Sequence, residues 1–217
     1  MTTAIKSVFR LLAALRRASA VHPRGVLLAG EVVSVSTESL PLRPGPVLAR
    51  MSKGAGMPGA VPDALGLALR FGTSPRHWDL LLTTSMPGRR IGRMLPWPLR
   101  SWNSDRYCSL MPYRVDDRNL WFGAEVADLP VDRASIADVV RSLDDGPLRL
   151  RLKVAEAGAS WRPVAEIVLS RVDTERPGIA FDPVTAQPPG LRLVPQWLAS
   201  MRAAAYSGSR EGRPRLP

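Results

Sequence analysis

The sequence predicts an α+β fold in which eight antiparallel strands close into a β-barrel with flanking helices. Eight segments combine strand length with an apolar or alternating pattern, most are joined by turns, and only one helical insertion separates them. Eight antiparallel strands enclose a space wide enough for side chains or for a flat ligand. The segments lie near residues 25–36, 46–52, 66–72, 78–84, 107–115, 119–127, 147–155 and 161–171.

The domain organisation is predicted to be simple, because no internal repeat or low-complexity linker divides the chain. Residues 1–20 are expected to form an N-terminal amphipathic helix and residues 21–217 the domain itself. The apolar run of the helix is too short to span a bilayer, and it lacks a convincing signal-peptide cleavage site. Packing on its own domain or on a second subunit is favoured over attachment to a membrane surface.

Composition restricts the class of protein. Of 217 residues, 45% are hydrophobic, which is typical of a globular chain with a substantial core. The net charge of +11 suits nucleic acid or an anionic membrane. However, only three of the 30 basic residues are lysines and no basic run is interleaved with aromatic residues, so we expect no nucleic-acid partner. The single cysteine, Cys108, excludes an intrachain disulfide framework and is compatible with a cytoplasmic location.

The connecting segments follow from proline, glycine and alternation. Three prolines predict a loop at 37–46, and three more, with two tryptophans, predict a loop or short helices at 86–104. A hairpin turn is expected at 116–119 and a helix at 129–146. Residues 148–154 alternate strictly, so we expect one buried face and one solvated basic face. Cys108 is expected to be a small apolar residue in a strand.

The C-terminal segment carries the first candidate for chemistry. Residues 198–205 are good helix formers, which places Arg202 and Tyr206 one turn apart. A cation beside a phenol favours the deprotonated oxygen, which is a hard anionic ligand for ferric iron. On spacing alone, a buried tyrosine beside a self-solvating basic tail is the favoured interpretation.

The same segment resembles the proximal segment of the haem catalases. The pattern Arg-x-x-x-Tyr followed by further arginines matches that family, in which tyrosine holds the iron. The match continues upstream through residues 179–183, 188–190 and Pro195. The resemblance implies that Tyr206 ligates the iron of ferric haem b, that Arg202 holds the phenolate, and that Arg213 pairs with a haem propionate.

Two N-terminal segments resemble the opposite side of a catalase haem site. Val21-His22-x-x-Gly25 is similar to the distal-histidine segment, and the strand that ends at Ser52 is similar to the one that faces the haem. The resemblance implies that His22 relays a proton between peroxide oxygens, which a histidine titrating near neutral pH can do. It also implies that Ser52 hydrogen-bonds His22 and that Arg50 pairs with a propionate.

A third match contains a departure from the family. Trp78-Asp79-Leu80 resembles the catalase motif, but Thr83-Thr84 stands where catalases have an asparagine pair. The first of those asparagines hydrogen-bonds the bound peroxide, whereas Thr83 offers a single hydroxyl on a shorter side chain. This departure favours peroxidase-like or hydroperoxide chemistry over efficient peroxide disproportionation.

Taken over residues 20–213, the resemblance implies a minimal catalase-like protein, shorter than a full catalase. The expected function is a haem-dependent oxidoreductase that acts on hydrogen peroxide or organic hydroperoxides with an electron donor, and the chain is compatible with a homo-oligomer. Two other classes stay open: a non-catalytic haem-binding or sensing protein, and a cofactor-free basic binding module on the same barrel.

Overall fold

The structure, a computed structural model, describes residues 25–36, 40–72, 77–89, 91–130, 133–176 and 179–194. These residues form ten strands, one α-helix and one 3₁₀ turn. The strands are β1 Gly25–Val35, β2 Gly45–Lys53, β3 Leu65–Phe71, β4 Trp78–Thr84, β5 Ser104–Cys108, β6 Tyr113–Val115, β7 Arg118–Ala127, β8 Leu148–Ala155, β9 Arg162–Val172 and β10 Leu191–Leu193; the helix is α1 Ile136–Asp145 and the turn is Gly92–Met94.

Eight of these strands close into an antiparallel barrel, as predicted. The order around the barrel is β7-β5-β4-β3-β2-β1-β9-β8, and pairing of β7 with β8 closes it. Strands β6 and β10 extend the sheet beside β7. The two helices predicted at residues 1–20 and 198–205 lie outside the described residues.

The barrel core follows from the alternation of side chains along each strand. Leu28, Ala49, Leu69 and Leu80 are cross-strand neighbours that point inward and are fully buried. At one end of the core, the rings of Trp78, Tyr113 and Phe122 pack edge to face. The intervening residues of each strand therefore project from the outer face of the barrel.

Two boundaries differ from the sequence prediction. The strand expected at 107–115 is two strands, because Leu110 takes a left-handed conformation (φ 58°) and the Ser109 hydroxyl donates to the Met111 carbonyl, which turns the chain. The helix expected at 129–146 begins only after Ser135, whose hydroxyl accepts a hydrogen bond from the Asp138 amide and caps the first turn.

The basic face predicted for β8 is only partly solvated. Arg149 and Arg151 are exposed, as expected. Lys153 is buried, with its ammonium 5.3 Å from the centre of the Trp161 ring and donating to the Asp105 carbonyl at 2.6 Å. The alternation predicted the direction of this side chain correctly, but a loop and an aromatic ring cover it. Among the described residues, no helix has the length and apolar character needed to cross a bilayer.

The seam between β1 and β9 depends on a glycine. The register shifts after Ala29, and a Cβ on Gly30 would lie 2.0 Å from the Val168 carbonyl oxygen. We predict that Gly30→Ala lowers the free energy of unfolding by about 2 kcal/mol, because the overpacked strand must move. Urea denaturation measures this, and Val33→Ala, at an exposed position of the same strand, serves as the control. Equal stability of the two variants would contradict the close approach.

Candidate functional site

A row of small residues crosses the outer face of the barrel. Gly25, Ser52, Gly66 and Thr83 are directly opposite one another on β1, β2, β3 and β4. Directly paired residues of antiparallel strands project to the same side of the sheet. All four are partly exposed. Two residues that the catalase resemblance singled out, Ser52 and Thr83, therefore share one face.

A second row lies beside the first and contains the guanidinium of Arg50. Leu27, Arg50, Ala68 and Leu81 are paired across the same strands and are also partly exposed. The two rows together define what we call the outer platform, an area of small and apolar side chains that includes Arg50.

The glycines of the outer platform make room for its polar side chains. A Cβ on Gly25 would lie 3.1 Å from Nε of Arg50 and 3.2 Å from Cβ of Ser52. A Cβ on Gly66 would lie 2.9 Å from the Ser52 hydroxyl oxygen. Arg50 and Ser52 thus pack over glycine backbone in space that a larger residue at either position would fill.

The two threonines of β4 have different surroundings. The Thr83 hydroxyl, on the platform, donates to the Leu65 carbonyl at 3.2 Å. The Thr84 hydroxyl points inward, accepts from the Leu65 amide at 3.0 Å and donates to the Trp97 carbonyl at 2.7 Å. Thr84 therefore links the start of β3 to the loop that follows β4. The Thr83 hydroxyl must break its bond to the Leu65 carbonyl before it can donate to a ligand.

A buried carboxylate joins the platform to the C-terminal part of the chain. Asp79 is fully buried and accepts two hydrogen bonds from the Arg70 guanidinium, at 2.7 and 2.6 Å. Its second oxygen also accepts from the Asp182 amide at 2.7 Å. Charge-assisted and bidentate bonds of this kind are among the strongest in proteins.

The same pair holds a longer stretch that we call the strap, residues 179–187. Arg70 donates to the Ala180 carbonyl at 2.7 Å and lies 5.1 Å from the centre of the Phe181 ring. The Asp79 amide donates to the Ala186 carbonyl at 2.9 Å. The strap thereby crosses the outer face of β3 and β4, next to the platform.

The predicted site residues divide into two groups. Arg50, Ser52 and Thr83 lie together on the outer platform. His22, Arg202, Tyr206 and Arg213 lie outside the described residues. Sequence reasoning gave no role to Arg70 and Asp79, although Asp79 stands in the Trp78-Asp79-Leu80 match. The opposite charges of Arg70 and Asp79 are evident in the sequence. That the two side chains pair follows only from the register of β3 and β4.

Cys108 continues the platform row beyond Thr83, yet it is not available for chemistry. It pairs with Thr83 across β4 and β5 and is buried. Burial raises the pKa of its thiol to about 11, and this outweighs the nearby main-chain donors and the cations Arg93 and Lys153. A thiol that stays protonated and covered is a poor nucleophile, so the chemistry of the platform does not include a cysteine-based peroxidase.

Comparison with solved structures shows a catalase-type fold. The chain matches a bacterial catalase with a TM-score of 0.58 and 16% identity, covering 97% of this chain and 61% of that one. It matches catalase A from Saccharomyces cerevisiae with a TM-score of 0.58 and 13% identity, covering 98% of this chain and 65% of that one. The chain thus spans less than two thirds of the length of these catalases. No protein-family model and no curated protein matches the sequence.

The Asp79 pair predicts a measurable coupling between the barrel and the strap. Asp79→Asn keeps the shape of the side chain but leaves the largely buried Arg70 without a counter-charge, so the free energy of unfolding should fall by about 3 kcal/mol. Hydrogen exchange of the Asp182 and Ala186 amides should accelerate more than that of the core strands.

Glu125→Gln is the matched control for this experiment. Glu125 pairs with Arg151 on the surface at 3.0 Å, so its loss should change stability by less than about 0.5 kcal/mol. Urea denaturation and amide exchange of both variants test the difference. Similar effects of the two substitutions would show that Asp79 does not hold the strap.

The burial of Cys108 predicts an alkaline loss of stability. The folded chain keeps the Cys108 thiol proton up to about pH 11. The contribution of the protonated thiol to the free energy of unfolding is therefore complete below pH 9 and is lost between about pH 9 and 11. The loss should approach about 3 kcal/mol. Unfolding of the wild type and of Cys108→Ala, measured across this range, isolates the thiol from other titrating groups. A pH-independent difference between them would contradict the burial effect.

Proposed function

We propose that the chain is a haem-dependent oxidoreductase that acts on hydrogen peroxide or organic hydroperoxides. The single observation that carries the proposal is the outer platform, where Arg50, Ser52 and Thr83 share one face of a catalase-type barrel. Arg50 and Ser52 come from the match on β2 and Thr83 from the separate match on β4, so two independent motifs assigned them. Their convergence supports a common site.

The described side of the site fits a haem. Glycines leave space beside its polar side chains, and small or apolar residues make up most of it. The Arg50 guanidinium supplies the positive charge that a propionate requires. Haem binding from the other side is assigned to Tyr206 as the iron ligand, with Arg202 beside the phenolate and Arg213 on a propionate.

The strap supports this assignment of the C-terminal residues. It leads the chain across the outer face of β3 and β4, beside the platform, before the segment that contains Arg202 and Tyr206. After the strap, β10 pairs with β6, and the described chain ends at Val194, with seven residues between it and Arg202.

The protein side chains would handle protons and orientation. A haem held by these residues would supply the redox chemistry for cleavage of a peroxide O–O bond. His22 accepts a proton from one peroxide oxygen and returns it to the other, so that this second oxygen leaves as water or as an alcohol. Ser52 would hold the His22 imidazole in one tautomer, and Arg50 would fix the orientation of the haem on the platform through a propionate.

A second candidate, haem binding or sensing without turnover, is favoured by one observation. The Thr83 hydroxyl already donates to the Leu65 carbonyl, so a bound peroxide gains a donor there only if that bond breaks. A peroxide-consumption assay on the haem-loaded protein separates this candidate from the enzyme.

The proposed iron ligand can be tested directly. Tyr206→Phe removes the phenolic oxygen and keeps the ring, so haem affinity should fall at least tenfold, equivalent to about 1.4 kcal/mol. Haem titration monitored at the Soret band measures this, and circular dichroism of the haem-free chains checks folding. Unchanged affinity and an unchanged spectrum would overturn the assignment.

His22→Ala provides the companion variant. It should bind haem with wild-type affinity but react with peroxide at least a hundredfold more slowly, because proton relay contributes factors of about 10² to 10⁴. Added imidazole should restore part of the rate. A wild-type rate in this variant would remove His22 from the mechanism.

A further inference from the structure

The loop between β4 and β5 presents apolar side chains to solvent. Ile91 is 74% exposed, Met94 43% and Trp97 44%. Arg89 and Arg100 are exposed on either side of them in the chain. Between Asp79 and Asp105 the sequence contains no acidic residue. Exposed apolar side chains rimmed by charged ones are a feature of interaction sites.

The loop is held rigidly against the barrel by Arg93. This side chain is only 2% exposed and donates to the carbonyls of Glu156 and Ala159 at 3.0 and 3.1 Å. Its guanidinium lies 5.7 Å from the centre of the Trp121 ring and 4.7 Å from that of Trp161. These contacts are cation–π interactions, and they fix the loop to the turn between β8 and β9.

Main-chain bonds complete the anchoring. The Met86 amide donates to the Leu95 carbonyl at 2.9 Å, and the Gly158 amide donates to the Arg89 carbonyl at 3.3 Å. The carboxylate of Glu156 is engaged by Arg118 at 2.8 Å. The loop backbone is thus held at Arg89 and at Leu95, on either side of the 3₁₀ turn, while the side chains of Arg89 and Arg100 are exposed.

The 3₁₀ turn decides which side chains face outward. Residues three apart eclipse one another in this geometry, so Ile91 and Met94 project together while Arg93 projects into the barrel wall. We call Ile91, Met94 and Trp97, with Arg89 and Arg100, the arginine-flanked knob. Its apolar side chains are held in place rather than free to collapse onto the protein.

The size and charge of the knob discriminate among partners. Three side chains present far less than the roughly 800 Å² that each partner contributes to a stable protein interface. Tryptophan and aliphatic side chains beside arginines match the boundary between lipid headgroups and acyl chains. We propose that the arginine-flanked knob binds the surface of a bilayer that contains anionic phospholipid, inserting Ile91 and Met94 while Arg89 and Arg100 contact the headgroups.

Vesicle flotation of the full chain tests this proposal. Binding is expected to vesicles of phosphatidylcholine with phosphatidylserine and to fall with added salt, because each arginine near the surface contributes about fivefold. Ile91→Ser/Met94→Ser should reduce the partition coefficient at least tenfold. Arg89→Glu/Arg100→Glu should do the same.

Each variant has a matched control. Val33→Ser removes an apolar side chain that is 47% exposed on β1, and Arg149→Glu/Arg192→Glu changes the net charge by the same amount as the knob double variant. Both controls should retain most of the binding. Thermal unfolding of all four variants should match the wild type, since every substituted side chain is exposed.

Four results would overturn the proposal. Equal binding to vesicles without phosphatidylserine would exclude recognition of anionic lipid. If Arg149→Glu/Arg192→Glu lost as much vesicle binding as Arg89→Glu/Arg100→Glu, net charge alone would account for the binding. Loss of binding in Phe9→Ser/Leu12→Ser but not in the knob variants would assign it to the N-terminal segment. Concentration-dependent dimerisation that Ile91→Ser/Met94→Ser abolishes would identify the knob as an interface between copies.

Discussion

The bidentate bond between Arg70 and Asp79 is the interaction on which the arrangement of the candidate site depends. It lies on the outer face of the barrel, and the buried carboxylate accepts from both the guanidinium and the Asp182 amide. A buried charge is tolerated only where its partners satisfy it. Because those partners belong to β3 and to the strap, the requirement to pair one carboxylate also determines the path of the C-terminal chain beside the platform.

The outer face of the barrel is consequently divided by what covers it. The strap covers part of β3 and β4. Trp161, from the connection between β8 and β9, packs against both Lys153 and the Arg93 guanidinium of the loop after β4. Both covered parts are rich in satisfied polar contacts. The outer platform lies between them with partly exposed small residues. At the edge of this surface, the Cys108 thiol is buried and its pKa is raised to about 11.

Much of the barrel could be predicted from local pattern. Alternation of apolar residues located most of the strands within two residues, since the side-chain period of a strand is a local property. The prediction was wrong at 107–115, where a left-handed Leu110 breaks one apparent strand into two. It was also wrong for Lys153, whose burial depends on Trp161 and Asp105, residues that alternation along β8 does not include.

The sequence by itself determined that eight strands form the barrel, and it determined the turns marked by glycine and proline. It also determined the motifs that contain Arg50, Ser52, Thr83, Asp79 and Asp182, because each of these features depends on neighbours along the chain. Only the tertiary structure decided that Ser52 and Thr83 share a row and that Arg70 forms an ion pair with Asp79. It also decided that the Cys108 thiol is buried and stays protonated. These facts depend on strand register and on what packs over each strand. A shift of one residue would have sent each of those side chains to the opposite face of the sheet.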